Sequence, residues 1–427
     1  MQAKIKGIKH RLGIWLAFRK LFKLWKSISP FDVFYEKTNP HLVIIPCDPF
    51  SVGGSRGDEA MITAVIQKYR MANPQIPITI ISGSEEGNLY ITNLPFKHIY
   101  PLYVWTGNYP IERIYNSVID LHPSEVILLG ADCMDGFYSP FISLTLLALH
   151  DLFSRTVGIK SRLLGFSFNG HPYKPLIKAY DSLSEDIVLN LRDEISLARF
   201  VKRTSHKAGL VSDAAFMLIP DSDFQEYSKL RDWIKTSHER GISHVIGFNF
   251  HPMLRKYKDS NEIQNDALTL AKNLVCILRE DTSINFVLIP HDDRNRLTDN
   301  MMLNVIAEQL KSQGFEKRIY YIQHVYRASQ LKAICGLLDG LVSSRMHLAI
   351  AALGQKKSVF AVTYQGKFEG LYRHFELSTH YLLTPTDFMS DKMVSRFHSY
   401  IDQLPELTNC VQRNLNKVVE LSEKNLL

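Results

Sequence analysis

Short apolar runs alternate with amphipathic stretches along most of the chain. Runs at 42–46, 78–82, 125–130, 162–168 and 187–191 read as buried strands, and the text between most of them has helical spacing. A glycine-bearing loop at 51–57 leads into helical text that continues to about residue 70. The alternation pauses over 220–243, a polar stretch holding Asp221, Asp223, Gln225, Glu226 and a charged helix around Trp233. It then restarts, with strands predicted at 244–250, 284–290, 318–322, 340–343 and 358–364 and helices at 262–279, 299–313, 328–337 and 347–353. From 386 onward the chain is helical and polar, and it is expected to cross back to the first half. Short buried strands separated by helices predict parallel sheets with right-handed crossovers. The expected fold class is α/β, with two doubly wound Rossmann-like domains facing across a cleft. The expected divisions are a basic helix over 1–30, a first domain over 31–225 and a second over 226–427.

A length of 427 residues is too great for one ordinary core, in line with two domains. The hydrophobic and charged fractions, 45% and 22%, are those of a water-soluble globular chain. Cys47, Cys133, Cys276, Cys335 and Cys410 are scattered and form no CxxC pair. That argues against a disulfide framework or a structural zinc site and favours a reducing, cytoplasmic setting.

Charge changes the picture at one place. Residues 1–30 carry eight Lys and Arg and no Asp or Glu, so the whole net +7 lies there and the remainder is about one charge negative. A near-neutral body does not call for a nucleic-acid partner. At 100° per residue Ile14, Trp15, Phe18, Leu21, Phe22, Leu24 and Trp25 fall on one side of a helix. Arg19, Lys20, Lys23 and Lys26 fall on the other. Such a helix suits the anionic inner face of a membrane, the alternative being that it packs on the protein's own body. Arg19 and Lys20 interrupt any signal-peptide core, and the segment is too charged to span a bilayer.

The candidate chemistry follows predicted strands. Ser343-Ser344-Arg345-Met346-His347 leads from strand to helix, and free N–H groups plus the helix dipole at such a place favour anions. Arg345 offers a fork for phosphate or carboxylate, and His347 a group able to carry protons near neutrality. Gly57-Asp58-Glu59 opens another helix, but without the lysine of a P-loop or GxGxxG spacing. Asp58 as N-cap and Glu59 as dipole partner are the alternatives to a chemical role. Asp132 and Asp135 could bind sugar hydroxyls or fasten a turn. Arg192 could bind an anion or pair with Asp193 or Glu194. Pro290-His291-Asp292-Asp293 and His324 lack HxxxH or HExxH spacing, so no metal site is expected. No GxSxG elbow or Cys/His signature is present.

In order and spacing these blocks resemble the polysaccharide pyruvyl transferase family over most of 40–375. The resemblance is carried by Gly57-Asp58-Glu59-Ala60, Arg192-Asp193 with Ser196, Asp213-Ala214-Ala215-Phe216, Pro290-His291-Asp292, Ser343 to His347, Tyr364 and Lys367. Gly130-Ala131-Asp132 departs from the family's Gly-rich turn, and the basic N-terminal segment lies outside the match. The resemblance implies a GT-B-like fold with the acceptor on the first domain and the donor on the second. It implies transfer of the enolpyruvyl group of phosphoenolpyruvate to a sugar of a polysaccharide or lipid-linked precursor, as a cyclic ketal. Exopolysaccharide or cell-envelope synthesis would be the setting. Carried over, His347 is catalytic; the chemistry of the reaction, rather than the resemblance, adds Asp58 or Glu59 as base reaching in from the facing domain. Arg345, Arg192, Met346, Lys367, Ser344, His291, Gly57 and Asp135 would bind substrate. No cofactor is expected, since arginines can neutralise the donor. The other readings are a GT-B nucleotide-sugar glycosyltransferase and a non-catalytic sugar-binding member.

Overall fold

The computed structural model describes residues 2–30, 40–53, 55–107, 110–254, 260–292, 298–363 and 366–427. Asp293 and Tyr364 lie outside them. By packing, the chain forms two units. The first comprises Met1–Gly53, Val65–Ala214 and Leu421–Leu427, and the second Gly54–Ala64 and Ala215–Glu420.

In the first unit β1 (Leu42–Ile45), β2 (Ile78–Ser82), β3 (Ile99–Tyr103), β4 (Glu125–Leu128) and β5 (Lys160–Leu163) form a parallel sheet in the order β3-β2-β1-β4-β5. β6 (Leu189–Leu191) and β7 (Ala208–Leu210) pair beside it, and Phe166 bridges to Leu191. The strand β3 was not foreseen. It is an edge strand with Tyr100 and Tyr103 exposed and Pro101 within it, as an edge tolerates.

The N-terminal helix, Gln2–Ser27, packs on this unit through its C-terminal half. Phe18, Leu21 and Trp25 are buried, and the helix lies against Pro140–Arg155. Trp25 Nε1 donates to Asp151 Oδ2 at 3.0 Å, and Lys26 Nζ to the Ser182 carbonyl at 2.6 Å. The part of the apolar face expected to meet a membrane is therefore partly consumed internally. Leu12, Trp15 and Leu16 remain exposed, with the Arg19 guanidinium 4.7 Å over the Trp15 ring.

In the second unit β8 (His244–Asn249), β9 (Ile284–Leu288), β10 (Ile319–Tyr321), β11 (Gly340–Ser343), β12 (Ser358–Val362) and β13 (Leu382–Leu383) form a parallel sheet. Its order is β10-β9-β8-β11-β12-β13. β8, β9, β11 and β12 are buried almost throughout, which is why they read as continuous apolar runs rather than alternating ones. The order reverses between β8 and β11, and the crevice at the carboxyl ends there is where doubly wound sheets hold ligands.

Two expected boundaries differ. The polar stretch read as a junction is the helix Gln225–Glu239 of the second unit, which buries Leu230, Ile234 and Ser237 and leaves its charges outside. The units part at Ala214–Ala215. The loop Gly57-Asp58-Glu59 also packs with the second unit rather than the first. Of the tail, Leu421–Leu427 belongs to the first unit: Asn425 Oδ1 accepts from Gly165 N at 2.6 Å, and Ser422 Oγ donates to the Asp213 carbonyl at 2.7 Å.

Candidate functional site

Three adjacent strands of the second unit deliver polar residues at their carboxyl ends. β8 ends in Asn249 and leads to His251; β9 leads to His291 and Asp292; β11 leads to Ser344, Arg345 and His347. Arg345 stands at the N-cap of the helix Met346–Gly354, and Met346 is its buried first residue.

Asp299 organises this edge. It is wholly buried at the start of the helix Asp299–Ser312. It accepts from Arg345 Nη2 at 2.5 Å, Asn249 Nδ2 at 2.8 Å and His291 N at 3.0 Å. Arg345 Nη1 also donates to Asp292 Oδ2 at 2.9 Å. The Arg345 guanidinium, 11% exposed, is thus held between two carboxylates, a geometry that fixes the turn more than it offers an open charge. Asp299 escaped the sequence reading because it looked like an ordinary helix start. Ser344 is buried, and its Oγ accepts from His251 N at 2.8 Å, tying β11 to the loop after β8.

The half-buried imidazole of His347 packs on the loop that opens the helix Arg56–Ala72. A methyl group built on Gly57 would lie 2.2 Å from His347 Nδ1, so only glycine lets the backbone come this close. Glu59 is buried; its Oε2 accepts from Arg56 Nη1 and its Oε1 from Ala328 N, at 2.8 and 2.9 Å. It therefore caps the helix Ala328–Leu337, a dipole role on a neighbouring helix rather than its own. Asp58 is half-buried in the same first turn.

Arg56, His291, Lys332 and His347 line a recess, with Ala215, Leu218, Leu331, Leu348 and Ile350 among its apolar walls. Among the described residues no Asp or Glu lines it. His291 is 6% exposed, and among the described residues its Nδ1 has no hydrogen-bond partner. Burial first, then the Arg345 charge, holds its pKa well below the usual 6.5, so the ring is neutral at physiological pH. Burial and Arg345 do the same to His251. Arg56 and Lys332 were not singled out in the sequence. Arg56 begins the helix after a glycine-bearing loop, and Lys332 sits on an apolar helix face, an unusual place for a lysine.

Lys367 is buried at the first position of the helix Lys367–His374, entered through Gly366 at φ 74°. Arg192 and Asp135 belong to the first unit. Arg192 Nη1 pairs with Asp213 Oδ2 at 2.9 Å, and Nε donates to Ser167 Oγ at 2.7 Å, with both pairing side chains 2% exposed. Burial opposes the Arg192 charge, but Asp213, Asp132 and Asp193 outweigh it and raise the pKa. Asp135 accepts from Phe137 N and Asn169 N, the turn-fastening alternative.

No functionally curated protein matches the chain. Solved structures similar to it include the UDP complex of MnaA from S. aureus, at 12% identity and TM-score 0.54, covering 88% of this chain and 91% of that one. A glycosyltransferase from Rickettsia africae matches at 11% identity and TM-score 0.53, covering 91% and 99%. A UDP-N-acetylglucosamine 2-epimerase matches at 10% identity and TM-score 0.55, covering 92% and 95%. At such identities the likeness is one of fold, and the fold is that of the GT-B group. The sequence profile of the polysaccharide pyruvyl transferases matches residues 56–366, running from the arginine that lines the recess to the glycine before Lys367. By that match over well more than half its length, the chain belongs to the polysaccharide pyruvyl transferase family.

Proposed function

We propose that the protein transfers the enolpyruvyl group of phosphoenolpyruvate to two hydroxyls of one sugar in a polysaccharide or lipid-linked precursor. The supporting observation is the recess at the switch point of the second unit, where the described lining residues include two cations and two imidazoles and no carboxylate.

In the reaction one hydroxyl adds to C2 while a proton is placed on the C3 methylene. The second hydroxyl then attacks C2, phosphate leaves with the released proton, and a cyclic ketal bearing a carboxylate remains. His347 delivers the methylene proton or assists phosphate departure. Asp58 or Glu59 takes the role of base. Arg56 and the neutral His291 bind the donor's oxygens, and Arg345 positions the turn through Asp292 and Asp299. Lys367, Met346, Ser344 and Gly57 shape the pocket. Arg192 and Asp135 serve the acceptor side, where their ties to Asp213 and to the 135–137 turn make them positioning groups.

The test is incubation with phosphoenolpyruvate and a panel of free, nucleotide-linked and lipid-linked sugars, reading phosphate release and product mass beside His347→Ala. Acceptor-dependent gain of pyruvate less water, lost in the variant, is expected. The UDP held by the S. aureus neighbour favours a second reading, nucleotide-sugar transfer. Turnover of a nucleotide sugar with none of phosphoenolpyruvate would replace the first reading with that one.

The acceptor's setting is the inner surface of a membrane. No helix among the described residues is long and apolar enough to cross one. Contact falls instead to the exposed part of the N-terminal helix, where Leu12, Trp15 and Leu16 lie among basic residues. Leu12→Glu/Trp15→Glu/Leu16→Glu should abolish sedimentation with anionic vesicles at low salt. Equal sedimentation of variant and parent would remove the membrane from the scheme.

A further inference from the structure

The cations of the site differ in how their charge is balanced. Arg345 lies between Asp292 and Asp299, and Arg56 pairs with Glu59. Lys332 is different. It is 3% exposed, lines the recess, and no carboxylate pairs with it among the described residues. Its Nζ donates to the carbonyls of Phe216 and Leu218, at 3.0 and 2.7 Å, which leaves one of its three ammonium hydrogens for another acceptor.

Carbonyl dipoles satisfy donors but do not cancel a charge, and a buried uncancelled ammonium is costly. The chain could have removed that cost with a methionine of similar length. We infer that Lys332 supplies the uncompensated positive charge that draws a small phosphorylated anion into the recess and binds it there. The ligand's identity as phosphoenolpyruvate rests on the function proposed above; the charge assignment does not.

The electrostatic surroundings agree. Burial is the main influence on Lys332 and lowers its pKa to about 8. Cys335, one turn on, is the titratable neighbour, and burial pushes its thiol up to about 12. Glu59, at the start of the same helix, is engaged by Arg56 and Ala328 N. On the helix Gln225–Glu239, which packs alongside, Glu226 is bonded by the hydroxyls of Tyr320 and Tyr326. Arg56, His291 and His347 also line the recess, and a Cβ on Gly354, at the end of the helix Met346–Gly354, would lie 3.2 Å from Lys332 Nζ. An arriving anion would favour the charged amine, so binding near pH 8 should draw a proton from solvent.

The experiment is calorimetric titration of the full-length protein with phosphoenolpyruvate at pH 8, in two buffers of different ionisation enthalpy. The expected result is uptake of about half a proton. Lys332→Met should remove the uptake and weaken binding by about 10- to 100-fold. Lys332→Arg, which keeps the charge and a donor for the two carbonyls, should bind without uptake and guards against a methionine variant that fails to fold. Binding of phosphoenolpyruvate by the parent with no proton uptake, or within twofold by the folded methionine variant, overturns the inference while leaving the donor reading intact. If phosphoenolpyruvate does not bind, inorganic phosphate and UDP are titrated the same way. Lys332-dependent uptake with either upholds the charge assignment and removes the donor reading; binding of none of the three overturns both.

Discussion

Gly57→Ala separates the placement of His347 from the stability of the fold. The added methyl would lie 2.2 Å from His347 Nδ1, 2.6 Å from Cε1 and 2.7 Å from Cγ, whereas ordinary contacts begin at 3.4 Å. The ring must therefore retreat by about 1.2 Å, the difference between 3.4 and 2.2 Å. Gly57 is not among the residues of positive φ, so alanine brings no backbone strain, and inside a helix it should add roughly 0.5–1 kcal/mol of stability. Displaced packing around the imidazole offsets this by about 1–3 kcal/mol. The net is a loss of about 0–2.5 kcal/mol of stability, which the melt reads separately, while a misplacement of about 1 Å costs about 100-fold in turnover, or about 2.7 kcal/mol of barrier. The assay is phosphate release from phosphoenolpyruvate with acceptor, beside a thermal melt and the double variant with His347→Ala. If the methyl acts through the ring, adding it to His347→Ala should cost little more. Parental turnover by Gly57→Ala would refute the reasoning. So would a loss of similar size in the His347→Ala background, which would place the damage elsewhere.

Other outcomes follow from the same contacts. Asp299→Asn removes one of the two carboxylates holding Arg345 and should destabilise the chain by about 3 kcal/mol in urea unfolding; a change under ~1 kcal/mol would mean Asp292 alone suffices. Burial lowers the pKa of His150 to about 4 and those of His251 and His291 well below 6.5. Below pH 6.5 the unfolded chain therefore binds more protons than the folded one, and stability falls with acidification. Each ring contributes up to about 1.4 kcal/mol per pH unit, down to about pH 4 for His150, so a melting temperature unchanged from pH 7 to 5 would contradict it. Trp25→Ala should cost about 3–5 kcal/mol, since the indole is fully buried and bonded to Asp151, and a neutral result by denaturation would mean the N-terminal helix is not docked.

Sequence pattern was most informative where burial is complete. The strands β8, β9, β11 and β12 are continuous apolar runs with a helix or turn signal on either side, and each was legible within a few residues. It was least informative at edges and in short pieces. β3 is half exposed, and β7 and β13 have three and two residues, too few to show a period. The charged helix Gln225–Glu239 was mistaken for a junction because its composition is that of a linker and only a narrow face is buried.

By itself the sequence determined the α/β class, the strand–turn–helix at Arg345 and His347, the basic N-terminal helix and the family blocks. These are local properties, set by spacing and residue type over a few turns. The tertiary structure alone decided which charges are balanced. Arg345 and Arg192 look alike as open anion binders in the text, yet each meets carboxylates far along the chain, Asp292 and Asp299 for one and Asp213 for the other. Lys332 stands out in the text only as a lysine in an apolar helix, and its burial beside the recess is a property of the fold. The loop at Gly57 reads as part of the first domain and packs on the histidine of the second unit. Ion pairing and close approach depend on distance in space, and residues separated by tens or hundreds of positions carry no signal of that distance until the sheet has brought them to one edge.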